Sequence, residues 1–240
     1  MRASGVGNHP AQVAAFPATR ARVSAIADSR WRTLHTCLGS TTTEPVSNEL
    51  RLTRAQQNKV EPMANDNVYG WRYYGQERPA FAAEPDAGQE SVWDYPRPPR
   101  IEPESREVIV RVGDVVLAQT HAACRVLETA SPPTFYIPRA DVKDEYLRPA
   151  GGSSRCEWKG TARYWTVSVP PVVLESVGWS YDDPHPEFES IRGWLSFYPA
   201  RIECYVDGNR VTPQPGGFYG GWITPDVVGP FKGAPGSSGW

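Results

Sequence analysis

The stretch from Cys156 to Trp165 places a thiol, an ammonium group, a tight turn and three large aromatic rings within ten residues. A lysine ammonium near a cysteine lowers the pKa of the thiol and favours the nucleophilic thiolate. Lys159 follows Cys156 closely enough to act in this way, so the pair is a candidate for covalent chemistry. The alternative is an inert, buried Cys156 beside a solvated Lys159.

Two carboxylates and four aromatic rings beside apolar segments are further candidates for a binding site. Glu128 and Asp141 could orient the N–H groups of a ligand or act as a general base. Their alternative role is a structural ion pair with Arg139, Arg163 or Lys159. The rings that could form a cage around a planar ligand are Tyr136, Tyr164, Trp179 and Tyr181. Ordinary core packing is the alternative for each ring.

The turns and alternating segments that must position these residues indicate a mainly β fold. Lys159-Gly160 reads as a two-residue hairpin turn, and Trp165, Val167 and Val169 alternate with polar or smaller residues in the strand that follows. Gly113-Asp114 and Asp207-Gly208 predict two further hairpins. A content of 21 Gly, 24 Pro, nine Trp and eleven Tyr also favours turns and aromatic-rich strands over helices.

Charge and cysteine usage exclude several classes of partner. The 25 basic and 27 acidic residues nearly balance, so no large basic field is present to hold nucleic acid. No apolar run approaches the roughly 20 residues that cross a bilayer. The four cysteines are widely spaced without a Cys-x-x-Cys pair, and His121 and His185 stand alone, so we expect no metal site and a cytoplasmic location.

The composition divides the chain into four predicted parts. Residues 1–66 are expected to be a disordered extension, either an arginine-rich targeting segment or a translated upstream region before a start at Met63. An extended aromatic and proline-rich arm over 67–100 precedes a core domain over 101–212. A glycine- and aromatic-rich tail over 213–240 follows, whose rings suggest that it docks while its last eight residues fray.

The core contains an ordered set of motifs: Glu128, Tyr136-Ile137-Pro138 with Asp141-Val142, Cys156-x-x-Lys159-Gly160-x-Ala162-x-Tyr164, Trp179-x-Tyr181-x-x-Pro184 and Gly193 with Phe197-Tyr198. Over about residues 91–200, this set resembles the family called domain of unknown function 427 (DUF427), which also carries a nucleotidyltransferase label.

The resemblance implies a β-tent fold, in which two antiparallel sheets lean together with short helical turns and extended arms. Similar folds occur in the cereblon ligand-binding domain and in methionine sulfoxide reductase B. Many such folds are stabilised by a zinc ion bound to paired Cys-x-x-Cys motifs, and this chain lacks those motifs. We therefore expect the aromatic cluster and the docked arms to supply the missing packing, since each large ring buries roughly 150–250 Å².

The nucleotidyltransferase label finds little support in the residues. Metal-assisted transfer needs carboxylates that converge on Mg²⁺ and a loop that holds the triphosphate. Asp182 and Asp183 are adjacent, so on a strand they would point to opposite faces. The loop predicted at Gly151-Gly152-Ser153-Ser154 lacks a following lysine of the Walker type.

Three functional hypotheses follow. The first is a domain that binds a small planar or nucleotide-like molecule in an aromatic pocket with polar contacts from Lys159, Glu128 and Asp141. The second is an enzyme, either a nucleotidyltransferase or one that uses the Cys156 thiol. The third is an interaction module whose aromatic arms bind a partner protein or a second copy of the chain. No cofactor can be named from the residues.

Overall fold

The computed structural model describes residues 70–240, so the predicted extension over 1–66 lies outside the described residues. The described part is mainly β, as expected, and its helical segments are short 3-10 turns. The strands are β1 (Glu90–Ser91), β2 (Arg100–Glu104), β3 (Val108–Val112), β4 (Val115–Thr120), β5 (Ala123–Glu128), β6 (Ser131–Tyr136), β7 (Leu147–Cys156), β8 (Gly160–Val169), β9 (Val172–Ser180), β10 (Ser196–Phe197), β11 (Glu203–Val206), β12 (Asn209–Arg210), β13 (Thr212–Pro213), β14 (Trp222–Ile223) and β15 (Val227–Val228). The 3-10 helices are η1 (Val92–Asp94), η2 (Arg139–Asp141), η3 (Asp144–Tyr146) and η4 (Pro186–Ile191).

Two four-stranded antiparallel sheets carry most of this fold, one in the order β10-β9-β8-β7 and the other in the order β12-β11-β3-β4. A three-stranded antiparallel sheet, β2-β5-β6, joins the first of them through an isolated bridge between Ile137 and Leu195. Two small pairs, antiparallel β13-β14 and parallel β1-β15, bring in the tail and the arm. The expected sheet pair is therefore accompanied by three smaller sheets within residues 70–240.

The main core lies between the two four-stranded sheets. Val108 and Val110 of β3 are fully buried and contact the same cluster as Trp165, Val167 and Val169 of β8. The predicted alternation of β8 is confirmed, because these three residues are buried while the intervening side chains are partly exposed. Burying each such aliphatic side chain contributes about 1.5–3 kcal/mol, so one face of β8 is committed to this core.

Two of the three predicted hairpin turns are confirmed, and the predicted loop at 151–154 is wrong. Gly113-Asp114 joins β3 to β4, and Asp207-Gly208 joins β11 to β12. Pro132-Pro133 lies inside β6, which tolerates proline because it is the edge strand of its sheet. The predicted loop at 151–154 lies inside β7, where the pairing register shifts between Pro149 and Ser153.

The arm and the tail pack against the core and against each other. β1 of the arm pairs with β15 of the tail, and Trp93 is buried in a cluster with Leu127 and Val227. The expected fraying of the last residues is wrong, because the Trp240 ring stacks on Phe81 with centroids 5.3 Å apart. No helix within residues 70–240 has the length and apolar character needed to cross a membrane.

Candidate functional site

The hairpin that carries Lys159 has a three-residue loop instead of the predicted two-residue turn. Cys156 of β7 pairs with Gly160 of β8, so Glu157, Trp158 and Lys159 form the connection. Gly160 has a φ of +93°, the left-handed conformation that a glycine adopts readily at the end of such a loop. The longer loop turns Lys159 inward, and only 8% of the residue is exposed.

The second face of β8 looks onto a cavity rather than onto the main core. Ala162 and Tyr164 lie on this face, and Tyr164 is paired in register with Trp179 of β9. Across the cavity stands the three-stranded sheet, from which Tyr136 accepts a hydrogen bond from Trp179 Nε1 at 3.3 Å. The strand order therefore brings rings from two different sheets to one opening.

The cavity has a volume of about 690 Å³. Six of the seven residues expected to bind a ligand line this cavity. They are Glu128, Tyr136, Lys159, Tyr164, Trp179 and Tyr181. Cys156 lines it as well. The rings contact one another, with Tyr136 and Tyr181 centroids 6.4 Å apart. The structure thus brings together in one cavity most of the residues that the sequence singled out.

Lys159 places an ammonium group in an almost fully buried position in the cavity wall. Its Nζ lies 5.9 Å from the centroid of the Tyr181 ring and 5.6 Å from that of Phe188. Burial lowers the pKa of Lys159, but Tyr136, Cys156 and Glu128 raise it by more, so the net pKa shift is upward. Burial also raises the pKa of Tyr136 and Tyr181. At neutral pH the cavity therefore contains an ammonium and neutral phenols.

Glu128 is half-buried at the edge of the cavity, and its ion-pair partner comes from the arm. Arg97 Nη2 lies 3.4 Å from the Glu128 carboxylate and donates a hydrogen bond to the Thr129 carbonyl at 2.9 Å. The guanidinium also lies over the Trp71 ring, 4.7 Å from its centroid. The ion-pair partner of Glu128 is therefore Arg97 and not Arg139, Arg163 or Lys159. Arg97 lies far from Glu128 along the chain, so no local pattern in the sequence indicates this pair.

Asp141 does not line this cavity, which corrects the expectation that it supplies a polar contact to the ligand there. The residue is exposed at the end of η2, and its carboxylate accepts a hydrogen bond from Thr120 Oγ1 at 2.6 Å. The bond ties η2 to the end of β4 and gives Asp141 a structural role. Arg139 and Arg163 lie over the Trp165 ring, with distances of 4.5 and 4.7 Å to its centroid.

Cys156 lies at the cavity wall and is half-buried, and it interacts electrostatically with Lys159 and Tyr181. The other two cysteines of residues 70–240 have different surroundings. Burial raises the pKa of the Cys124 thiol, and it raises that of the fully buried Cys204 thiol further. Cys156 and Lys159 therefore line the same cavity, and activation of the thiol by the ammonium stays a prediction.

Sequence reasoning missed several residues of the cavity as candidates for ligand contact. They are Arg155, Trp158, Tyr198, Arg201, Gln214, Tyr219 and Lys232. Tyr198 stood in the motif set, and the glycine- and aromatic-rich tail was expected to dock, but neither signal specified where. Gly220 marks the docking site, because a Cβ built on it would lie 2.2 Å from Cη2 of Trp179.

The two carboxylates tested for metal binding are engaged elsewhere. Asp182 pairs with Arg163 at 3.1 Å, and Asp183 pairs with Arg192 at 3.2 Å. Within the part of the chain that the structure describes, no group of three or more His, Cys, Asp or Glu side chains could hold a metal ion. These residues accordingly have structural partners on the protein surface.

Comparison with known proteins adds one match. A family model described as a domain of unknown function, DUF427, matches residues 100–208, which confirms the family expected from the motifs. The nucleotidyltransferase label is only a name of that model. No curated protein matches the chain. The matched span contains the cavity walls of the core, whereas Arg97, Tyr219 and Lys232 lie outside it.

Proposed function

We propose that the aromatic cavity, whose core walls lie in the DUF427 domain of residues 100–208, binds a small planar or nucleotide-like molecule. One observation carries the proposal: the buried Lys159 and the rings of Tyr136, Trp179 and Tyr181 line a single cavity. A cavity of about 690 Å³ falls within the range of roughly 300–1,000 Å³ that is typical of small-molecule sites.

The aromatic walls suit a flat ligand. Trp179 and Tyr198 contact each other at 4.5 Å between centroids, and their planes are inclined by 45°. The Tyr164 hydroxyl donates a hydrogen bond to Ser154 Oγ at 2.7 Å, which limits rotation of that ring. Rings held in this way present faces and edges for stacking without a large loss of side-chain entropy on binding.

The polar groups of the cavity can fix the orientation of a bound ring. Lys159 donates hydrogen bonds, and Glu128, held by Arg97, accepts them. A ligand with both an acceptor and an N–H donor would match these two groups. A few polar groups among many apolar ones are the usual arrangement by which a small-molecule site selects its ligand.

A thermal-shift screen of the full chain with nucleobases, nucleosides and small aromatic acids tests the proposal. A ligand at 100 times its Kd should stabilise the protein by about 2.7 kcal/mol. The shift should shrink in Lys159→Met and Tyr198→Leu and persist in Lys143→Met and Tyr205→Leu, whose positions are outside the cavity. Equal shifts in all four variants would place the ligand elsewhere and contradict the proposal.

A second candidate function is thiol chemistry at Cys156. It is favoured by the position of Cys156 at the wall of the same cavity, beside Lys159 and Tyr181. An ammonium adjacent to a thiol stabilises the thiolate that acts as nucleophile. Selective alkylation of Cys156 separates this function from simple binding.

A further inference from the structure

The cavity is lined by four cationic side chains that take part in none of the ion pairs among residues 70–240. They are Arg155, Lys159, Arg201 and Lys232. Its only carboxylates are Glu128, which is paired with Arg97 at 3.4 Å, and the exposed Glu157. Elsewhere in the described chain arginines repeatedly pair with carboxylates, as Arg106 does with Glu104 at 2.7 Å. The cavity therefore carries an excess of positive charge.

Lys159 is the strongest sign that this charge serves a ligand. The residue is only 8% exposed, yet it forms no ion pair with a carboxylate of residues 70–240. Glu128, the carboxylate that acts on it electrostatically, is itself paired with Arg97. A buried ammonium is costly unless an anion or several acceptors surround it. The neighbouring Tyr181 and Phe188 rings supply only their faces, at 5.9 and 5.6 Å. An anion in the cavity would complete the environment of Lys159.

The two outer cations come from separate segments and keep their charges available. Arg201 donates hydrogen bonds to the backbone carbonyls of Glu175 and Ser176, at 2.5 and 3.2 Å, which hold the guanidinium without neutralising it. Lys232 of the tail lies over the Tyr219 ring, 5.4 Å from its centroid. Positive charge at the mouth of a cleft raises the local concentration of anions.

We propose that the ligand of this cavity is a planar ring that bears an anionic group, a carboxylate or a phosphate, and that Lys159 binds that group. Arg201 and Lys232 attract the anion, while Tyr136, Trp179 and Tyr198 hold the ring. The inference rests on the proposed function, because it specifies the ligand class of the same cavity. Arg155 lies on an exposed part of the β7 strand and adds to the attraction without defining the site.

Matched pairs of probes that differ in the anionic group test the inference by isothermal titration of the full chain. The pairs are nicotinamide with nicotinate, adenosine with AMP, and uridine with UMP. The anionic member of at least one pair should bind about tenfold tighter or better, as expected for a charge-assisted hydrogen bond in a cavity. Nicotinate against AMP then distinguishes a carboxylate ligand from a phosphate ligand.

Variants locate the effect. Lys159→Met should reduce the affinity ratio within the pair to near one, Lys159→Arg should retain part of it, and Lys143→Met should leave it unchanged. If Lys159→Met does not fold, as judged by circular dichroism, the wild-type ratio still tests the preference for an anion. The doubly substituted Arg201→Gln, Lys232→Gln protein, altered at accessible positions, should then weaken the anionic member selectively.

Each other outcome overturns the inference. Equal affinities within every pair, or tighter binding of the neutral members, would refute the anionic class while leaving the proposed function intact. A ratio that Lys159→Met does not change would refute the assignment to Lys159. Failure of every probe and of the wider thermal-shift screen to bind would contradict the proposed function as well.

Discussion

Trp179 Nε1 donates a hydrogen bond to the Tyr136 hydroxyl at 3.3 Å, and this bond joins β9 of one sheet to β6 of another. Tyr136 is fully buried and Trp179 is nearly so. The bond therefore fixes the distance between two walls of the cavity. It also fixes the position of the two rings that a ligand would contact.

Tyr136→Phe should destabilise the protein by about 1–3 kcal/mol, because the buried indole N–H of Trp179 loses its acceptor. Urea unfolding of the full chain at neutral pH measures the change. Tyr205→Phe is the control, since its hydroxyl bonds to Glu203 at a partly exposed position. An equal and small loss in both variants would show that the Trp179–Tyr136 bond contributes little.

Stability should fall with rising pH above about pH 10. Burial raises the pKa of Tyr136 and Tyr181, and the net pKa shift of Lys159 is also upward although burial alone lowers it. Each group thus keeps its proton longer in the folded protein than in the unfolded chain, whose tyrosines and lysines titrate near 10–10.4. The unfolded chain releases these protons first, so each group removes up to about 1.4 kcal/mol per pH unit.

Urea unfolding between pH 8 and pH 11 checks this pH dependence. The stability contributed by these groups is complete below their unfolded pKa and declines as the pH rises toward their folded pKa. Tyr136→Phe should make the alkaline slope shallower than that of the wild type. A free energy of unfolding that stays constant from pH 9 to pH 11 would mean that the three groups are not buried as described.

Gly220→Ala should lift the tail away from the cavity. The added methyl group would lie 2.2 Å from Cη2 and 2.9 Å from Cζ3 of Trp179, a rigid ring that cannot move aside cheaply. Overpacking of this kind costs about 1–3 kcal/mol. Unfolding and the tryptophan emission maximum report the change, with a red shift expected as Trp179 gains contact with water. Gly151→Ala, which meets no atom within 4 Å, should leave both unchanged.

Iodoacetamide near neutral pH should label Cys156 faster than Cys124 or Cys204. Burial raises the pKa of both latter thiols and also shields the buried Cys204 from reagent. Cys156, in contrast, lines an open cavity that also contains Lys159. Peptide mass spectrometry assigns the labelled positions, and Lys159→Met should slow the labelling of Cys156. Slow labelling of all three thiols would remove the thiol function.

The sequence predicted the local features that depend on few residues. Gly113-Asp114 and Asp207-Gly208 form the expected turns because glycine and aspartate tolerate positive φ, and the residues at Asp207 and Gly208 have φ values of 51° and 74°. The alternation around Val167 was also readable, since a strand with one face in a core repeats every two residues. These features need no knowledge of distant contacts.

The features that the sequence did not predict depend on distant parts of the chain. Lys159-Gly160 reads as a two-residue turn, but the pairing of Cys156 with Gly160 adds a residue to the loop and buries Lys159. Arg97 reaches Glu128, and Lys232 reaches the cavity, through arm and tail packing that leaves no local pattern. Asp141 was expected in the cavity because its local sequence does not show whether the carboxylate faces the cavity or the solvent. In the structure it lies exposed in η2.

The decisive measurement is a crystal structure of the full chain with the tightest-binding probe. We expect the ring of the probe to lie against Trp179 and Tyr136, with its anionic oxygen within about 3 Å of Lys159 Nζ. A probe bound away from this cavity, for example in the separate cleft beside Arg106 and Asp226, would contradict both the proposed site and the role of Lys159. So would a probe in the cavity whose ring contacts none of the aromatic walls.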